Sequence, residues 1–181
     1  MRIRTLAPLA TLAALAVAAP ASHAATADAT LTGGTLSFIN STPSNVSFPS
    51  VTLNGTNQTV SKTQTIDVSD ARGTGVGWNI TATSTLFTSG SDTLPAGSVT
   101  LPSAPPAACD SGVTCTVASG GAVSYPYTLP TSPTTTKMYS APANTGLGAQ
   151  TITPNWQLSV PALAKAGSYT STWTISLVSG P

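Results

Sequence analysis

Trp173, Ile175 and Leu177 alternate with Thr172, Thr174 and Ser176, and this period of two constrains the fold more than any other feature. Successive residues of a strand point to opposite faces, so the run makes one apolar face and one hydroxyl-bearing face. The same pattern recurs along the chain. It pairs Leu36 with Phe38, Val46 with Phe48, Val51 with Leu53, Ile66 with Val68, and Trp78 with Ile80 and Ala82. It returns in Val99 and Leu101, in Val123, Tyr125, Tyr127 and Leu129, and in Ile152, Trp156, Leu158 and Val160. Turn signals separate the runs, Asn54-Gly55 among them, and Pro126 demotes its run to an edge strand. No segment keeps a helical period over about ten residues. Thr and Ser dominate the polar positions, with 15 Gly and 15 Pro for the turns. The expected fold is all-β: a single antiparallel β-sandwich of about eight to ten strands, Ig-like in general architecture, with the last two strands as a candidate hairpin.

Charge narrows the functions. Only 6% of residues are charged, the formal net charge is +1, and there is no Glu. Six basic residues cannot make the stripe that displaces counterions from nucleic acid, so no nucleic-acid partner is expected. A helical bundle would need abundant Glu, Lys and Leu. Long-range steering of an ionic ligand is also excluded. Association has to come from shape, apolar contact and neutral hydrogen bonds.

Arg2 and Arg4 precede an apolar run from Leu6 to Ala19, and Pro20, Ser22 and Ala24 follow with small residues at cleavage spacing. The run falls short of the about 18 apolar residues that usually span a bilayer. A signal peptide over residues 1–24 is therefore expected, cleaved after Ala24, leaving residues 25–181 as one exported domain without membrane insertion. His23, the single histidine, departs with the leader. Cys109 and Cys115 suit an oxidising destination and enclose a turn-rich pentapeptide. A structural disulfide there closes a short loop and contributes about 2 kcal/mol. The spacing is not that of a redox Cys-x-x-Cys pair, and no further ligands suggest a metal.

Catalytic chemistry has few residues to use. Without His, neither a Ser-His-Asp nor a Cys-His pair can form. Asp67 and Asp70 fall three apart, facing opposite sides of a strand, and read as solvated or turn-capping residues, not as a glycosidase pair. Arg72-Gly73-Thr74-Gly75-Val76-Gly77 has the glycines of a phosphate loop but leads into a strand, so it reads as a mobile turn or bulge. Arg72 has Asp70 or a ligand carboxylate as possible partners. No catalytic residue, metal or cofactor is expected.

Three Trp-x-aliphatic motifs remain: Trp78 with Ile80, Trp156 with Leu158, and Trp173 with Ile175. Each puts an indole beside an aliphatic side chain on one face. Core pairs and an exposed indole row that stacks on a ligand are both compatible with that spacing.

At these residues the chain resembles the WxL-domain surface proteins of Gram-positive bacteria. Val68 to Ile80 is similar to the family's first Trp motif, and Ala166 to Ile175, with Tyr169 and Trp173, to its second. Leu94-Pro95-Ala96-Gly97 and Gly34-Thr35-Leu36-Ser37-Phe38 are similar too, so the likeness spans nearly the whole of residues 25–181. Ile80 and Ile175 stand where the family has Leu, and the Tyr169-to-Trp173 spacing is short, marking a distant branch, for which the Ala-rich leader suggests an actinobacterial origin. The resemblance implies a non-catalytic domain, secreted and extracellular or wall-associated, attached non-covalently to peptidoglycan. Other surface proteins are further candidate partners. The alternative is a structural or adhesive surface subunit, pilin- or coat-like, assembling with itself or with other surface proteins.

Overall fold

The computed structural model describes residues 23–181. The leader expected over residues 1–24 falls almost wholly outside that range. Residues 23–31 have no regular structure and are exposed throughout. From Thr32 onward the chain is all-β, with no helix among the described residues.

The strands are β1 (Leu36–Phe38), β2 (Gln58–Thr63), β3 (Ile66–Asp70), β4 (Trp78–Ser84), β5 (Thr88–Ser89), β6 (Asp92–Thr93) and β7 (Val99–Leu101). They continue with β8 (Ala107–Cys109), β9 (Tyr127–Thr128), β10 (Thr136–Ala141), β11 (Gly148–Ile152), β12 (Asn155–Val160) and β13 (Trp173–Ser179). Three sheets carry the architecture, ordered β1-β3-β11-β8, β2-β12-β7-β9 and β10-β4-β13, and β5 with β6 forms a small ribbon. All strand pairings are antiparallel.

The first two sheets share a bent ribbon. Ile152 pairs with Ile66 and Asn155 with Thr63, so the register passes from β11/β3 into β12/β2 without a slip. Pro154 interrupts the ladder because it has no N–H to donate. Gln64 N still donates to the Pro154 carbonyl at 2.9 Å, which holds the two halves in line. The period-two run of Ile152, Trp156, Leu158 and Val160 is thus two strands across a bend, not one. The third sheet faces this bent pair, and the core between them joins Trp78, Ile80 and Ala82 of β4 to Ile66, Val68 and Ile152 on one side and to Trp156 and Leu158 on the other. The antiparallel β-sandwich expected from the alternation is what forms.

Three local expectations change. The last two strands are not a hairpin: β12 pairs with β2 and β7, whereas β13 pairs with β4. The residues between them, 161–172, swing the chain across the sandwich. The runs Val46/Phe48 and Val51/Leu53 are not strands, although their alternation is intact. Of the Val123-to-Leu129 run only Tyr127–Thr128 pairs, and it does lie at a sheet edge next to Pro126.

The indole of Trp78 and the phenol of Tyr139 are matched in this core, while Gln150 Nε2 and Asp67 Oδ1 are buried without a hydrogen-bond partner. Trp78 Nε1 donates to the Gly146 carbonyl at 2.9 Å, and the Tyr139 hydroxyl donates to the Ala118 carbonyl at 2.9 Å. Burial pushes the Tyr139 phenol up to about 12, so it stays a neutral donor. Gly146 is required where it stands. Its φ is +73°, and a Cβ there would meet Trp78 Nε1 at 2.5 Å. Trp78→Ala removes a fully buried indole and should lower unfolding free energy by about 3–5 kcal/mol. Urea denaturation followed by circular dichroism measures this; a loss under about 1 kcal/mol would contradict the core assignment.

Candidate functional site

The three tryptophans separate into two kinds of environment. Trp78 and Trp156 are 0% exposed. Trp78 points into the end of the sandwich formed by β4 and β10, against Tyr139, with ring centroids 6.1 Å apart. Trp156 sits at the bend of the ribbon and donates its indole N–H to Gln64 Oε1 at 2.8 Å. The other end of the same amide, Gln64 Nε2, donates to the Ser44 carbonyl at 2.7 Å. One buried glutamine therefore ties the core indole to the start of the irregular segment 43–53.

Trp173 is different. It is only half-buried, and among the described residues no acceptor meets its indole N–H. Its ring packs edge-on against Trp156, with centroids 5.0 Å apart, and approaches Phe48 at 6.5 Å. Phe48 in turn meets Phe87 at 6.3 Å. Trp173, Phe48 and Phe87 line a groove of about 1090 Å³ that opens at the side of the sandwich. One wall is residues 43–53, the other is 164–171, and Leu158, Val160, Trp173 and Ile175 supply the inner side chains.

The position of β13 explains the groove. As an edge strand it pairs only with β4, leaving the inner faces of Trp173 and Ile175 beside β12 without a further strand to cover them. Residues 43–53 lie across this gap instead. The lining mixes these rings and aliphatic chains with Ser, Thr and Asn side chains and contains no carboxylate. Its single charged residue, Lys165, is exposed and pairs with Asp92 at 2.8 Å, which raises the ammonium above its usual value.

Of the residues singled out from sequence, Trp173, Ile175, Tyr169 and Leu158 come together in the groove, and Trp156 lies directly behind it. The Tyr169 hydroxyl donates to the Lys165 carbonyl at 3.1 Å, closing the 165–169 loop. Trp78 and Ile80 are 0% exposed and do not line it. Phe48, Phe87 and Gln64 were not anticipated. Phe48 stood in an alternating run that promised a strand, and nothing near Gln64 marks it as the acceptor for an indole.

The other polar candidates have structural partners. Of the two roles expected for Asp67 and Asp70, the solvated one does not hold, since they are 7% and 2% exposed, while Asp70 does cap its turn, accepting from Arg72 N at 3.2 Å. Asp67 accepts from Asn40 Nδ2 at 3.0 Å. Asp70 holds Arg72 at two points, Nε and Nη2, each 2.8 Å away. Arg72 also donates to the Gly77 carbonyl and to Ser179 Oγ. The glycine run is thus not a loose turn: its carbonyls at Gly75 and Gly77 accept from Asn144 N and Gly180 N, and the end of β13 is fastened to it. Cys109 and Cys115 form a disulfide. Among the described residues, no three His, Cys, Asp or Glu side chains are grouped to hold a metal, and no helix is long and apolar enough to cross a membrane.

The structure is thus an antiparallel sandwich with an aromatic-floored groove at its side, nearly free of charge. The chain belongs to the WxL family, whose model, described as WxL domain surface cell wall-binding, matches residues 20–181. The family is one of cell-wall-binding surface domains, not a catalytic one. Neither a curated protein nor a solved structure matches the chain.

The Arg72 hydrogen bonds hold the Asp70 carboxyl below the usual carboxylate value. Because the folded value lies below the unfolded one, the pair's contribution is present above the unfolded pKa and is lost as pH falls through the folded value. Urea midpoints should therefore hold from neutral pH to about 5 and decline below about 4, and Asp70→Asn should remove that part of the decline. Arg72→Ala, which strands a buried carboxylate, should cost about 3 kcal/mol at neutral pH.

Proposed function

We propose that residues 1–24 direct export, and that residues 25–181 act as one non-catalytic domain that attaches non-covalently to peptidoglycan. The observation that carries this reading is the groove at Trp173. It combines a half-buried indole, two phenylalanine rings and hydroxyl side chains with no unpaired charge, in a member of a cell-wall-binding family. Large flat rings supply contact area at small entropic cost, and the surrounding hydroxyls orient a polar ligand. Catalysis is left without its usual side chains, since residues 25–181 contain neither His nor Glu and no carboxylate lines the groove.

A second reading, a surface subunit that assembles with itself or with other surface proteins, draws on the edge of β13. That strand has seven residues and neither proline nor charge to discourage pairing. Oligomers that grow with concentration, seen by light scattering, would favour it.

Sacculus pull-down separates the two. The wild-type chain should be retained on purified sacculi as a monomer, and Trp173→Ala should reduce retention. Trp173→Ala should lower stability by only about 1–2 kcal/mol, since the ring is half-buried. Trp156→Ala, in the core, should cost about 3–5 kcal/mol. Equal retention of Trp173→Ala and wild type would reject the groove as the attachment site.

A further inference from the structure

The wall of the groove formed by residues 45–53 has main-chain groups that the protein does not use. Among the described residues, no backbone-to-backbone hydrogen bond involves this stretch, and its one recorded bond is the Thr52 carbonyl accepting from Gln58 Nε2 at 3.1 Å. The segment is nevertheless held at both ends. Ser44 N donates to the Thr65 carbonyl at 3.1 Å, Gln64 Nε2 donates to the Ser44 carbonyl, and Asn54 Oδ1 accepts from Thr56 N at 3.0 Å. A backbone N–H or C=O requires a partner, so a rim fixed in this way offers its free groups to solvent or to an occupant of the groove. Charge supplies the second observation. Lys165 is the one charged residue in the lining, and Asp92 already pairs with it.

We propose that the groove seats the sugar backbone of the wall polymer, an uncharged chain of acetamido sugars, and not its peptide stems or any phosphate-bearing polymer. The proposal rests on the reading of wall attachment given above. A pyranose ring has an apolar C–H face that packs on the rings of Trp173 and Phe48. Its hydroxyl and acetamido groups pair with the free main-chain groups of 45–53 and with the indole N–H of Trp173. A stem-peptide carboxylate or a phosphate would lose water in the groove without gaining a counter-charge.

Competition against sacculus binding of the wild-type chain tests this without depending on any variant. The competitors are glycan strands freed of peptide by an amidase, with the lactyl carboxylates this exposes capped as amides so that the strands are uncharged, the released stem peptides, and sacculi before and after removal of anionic polymers. Glycan strands alone should compete, removal of anionic polymers should leave retention unchanged, and raising salt to about 0.5 M should change affinity less than about twofold. Phe48→Ala and Trp173→Ala should each weaken glycan-strand binding by about tenfold or more, with folding checked by thermal melts. Competition by stem peptides in place of glycan strands, or loss of binding when anionic polymers are removed, would overturn the proposal while leaving wall attachment standing. Failure of intact sacculi to retain the chain would overturn both.

Discussion

Burying Trp156 depends on one hydrogen bond. An indole at zero exposure must place its N–H, and Gln64 accepts it at 2.8 Å from within the bend of the ribbon. Because the same amide reaches Ser44, the bond also sets where residues 43–53 leave the sheet. Trp156 then forms the back wall against which Trp173 stands edge-on. The buried Trp156, the anchored start of the irregular wall and the back of the groove thus meet at one buried polar contact. Without an acceptor at residue 64, the core would bear an unmatched donor and the groove would lose its anchored rim.

The opposite end of the sandwich is closed by different means. Arg72 joins Asp70, the Gly77 carbonyl and Ser179, so the end of β13 is clamped there. Asn79 Nδ2 donates to the Gly180 carbonyl at 2.7 Å and adds to the clamp. The start of β13 is held by neutral groups instead, with Thr172 N donating to Thr85 Oγ1 at 2.9 Å and Ser171 Oγ to the Thr85 carbonyl at 2.7 Å, and Trp173 borders the groove. Few charges exist in this chain, and of the two ion pairs among the described residues the buried one, Arg72 with Asp70, fixes an edge strand. The groove is left with neutral groups apart from the paired Lys165, in keeping with the composition.

Much of the architecture was legible in the alternating runs. Ile66 with Val68, Trp78 with Ile80, and Trp173 with Ile175 each mark a strand that forms, because a period of two has few other physical uses. What alternation lacks is any record of partners. Trp156-Gln157-Leu158 and Trp173-Thr174-Ile175 look alike as sequence, yet β12 is flanked on both sides and β13 on one. That difference decides which indole is buried. Val46 to Leu53 shows the converse: its pattern is a strand's, but its main chain finds no ladder. Of the two acidic residues, Asp70 caps its turn and pairs with Arg72, both among the roles its sequence offered, whereas the burial of the two carboxylates could not be read from spacing.

The central claim is that two indoles belong to the core and the third to the ligand. Three tryptophan indole N–H resonances can be resolved by ¹H–¹⁵N correlation spectroscopy while solubilised peptidoglycan fragments are added. The account predicts that the Trp173 resonance exchanges quickly with solvent in the free protein and shifts on titration, while those of Trp78 and Trp156 stay protected and unmoved. A shift centred on Trp78 or Trp156, or no shift at Trp173 under saturating fragment, would contradict it.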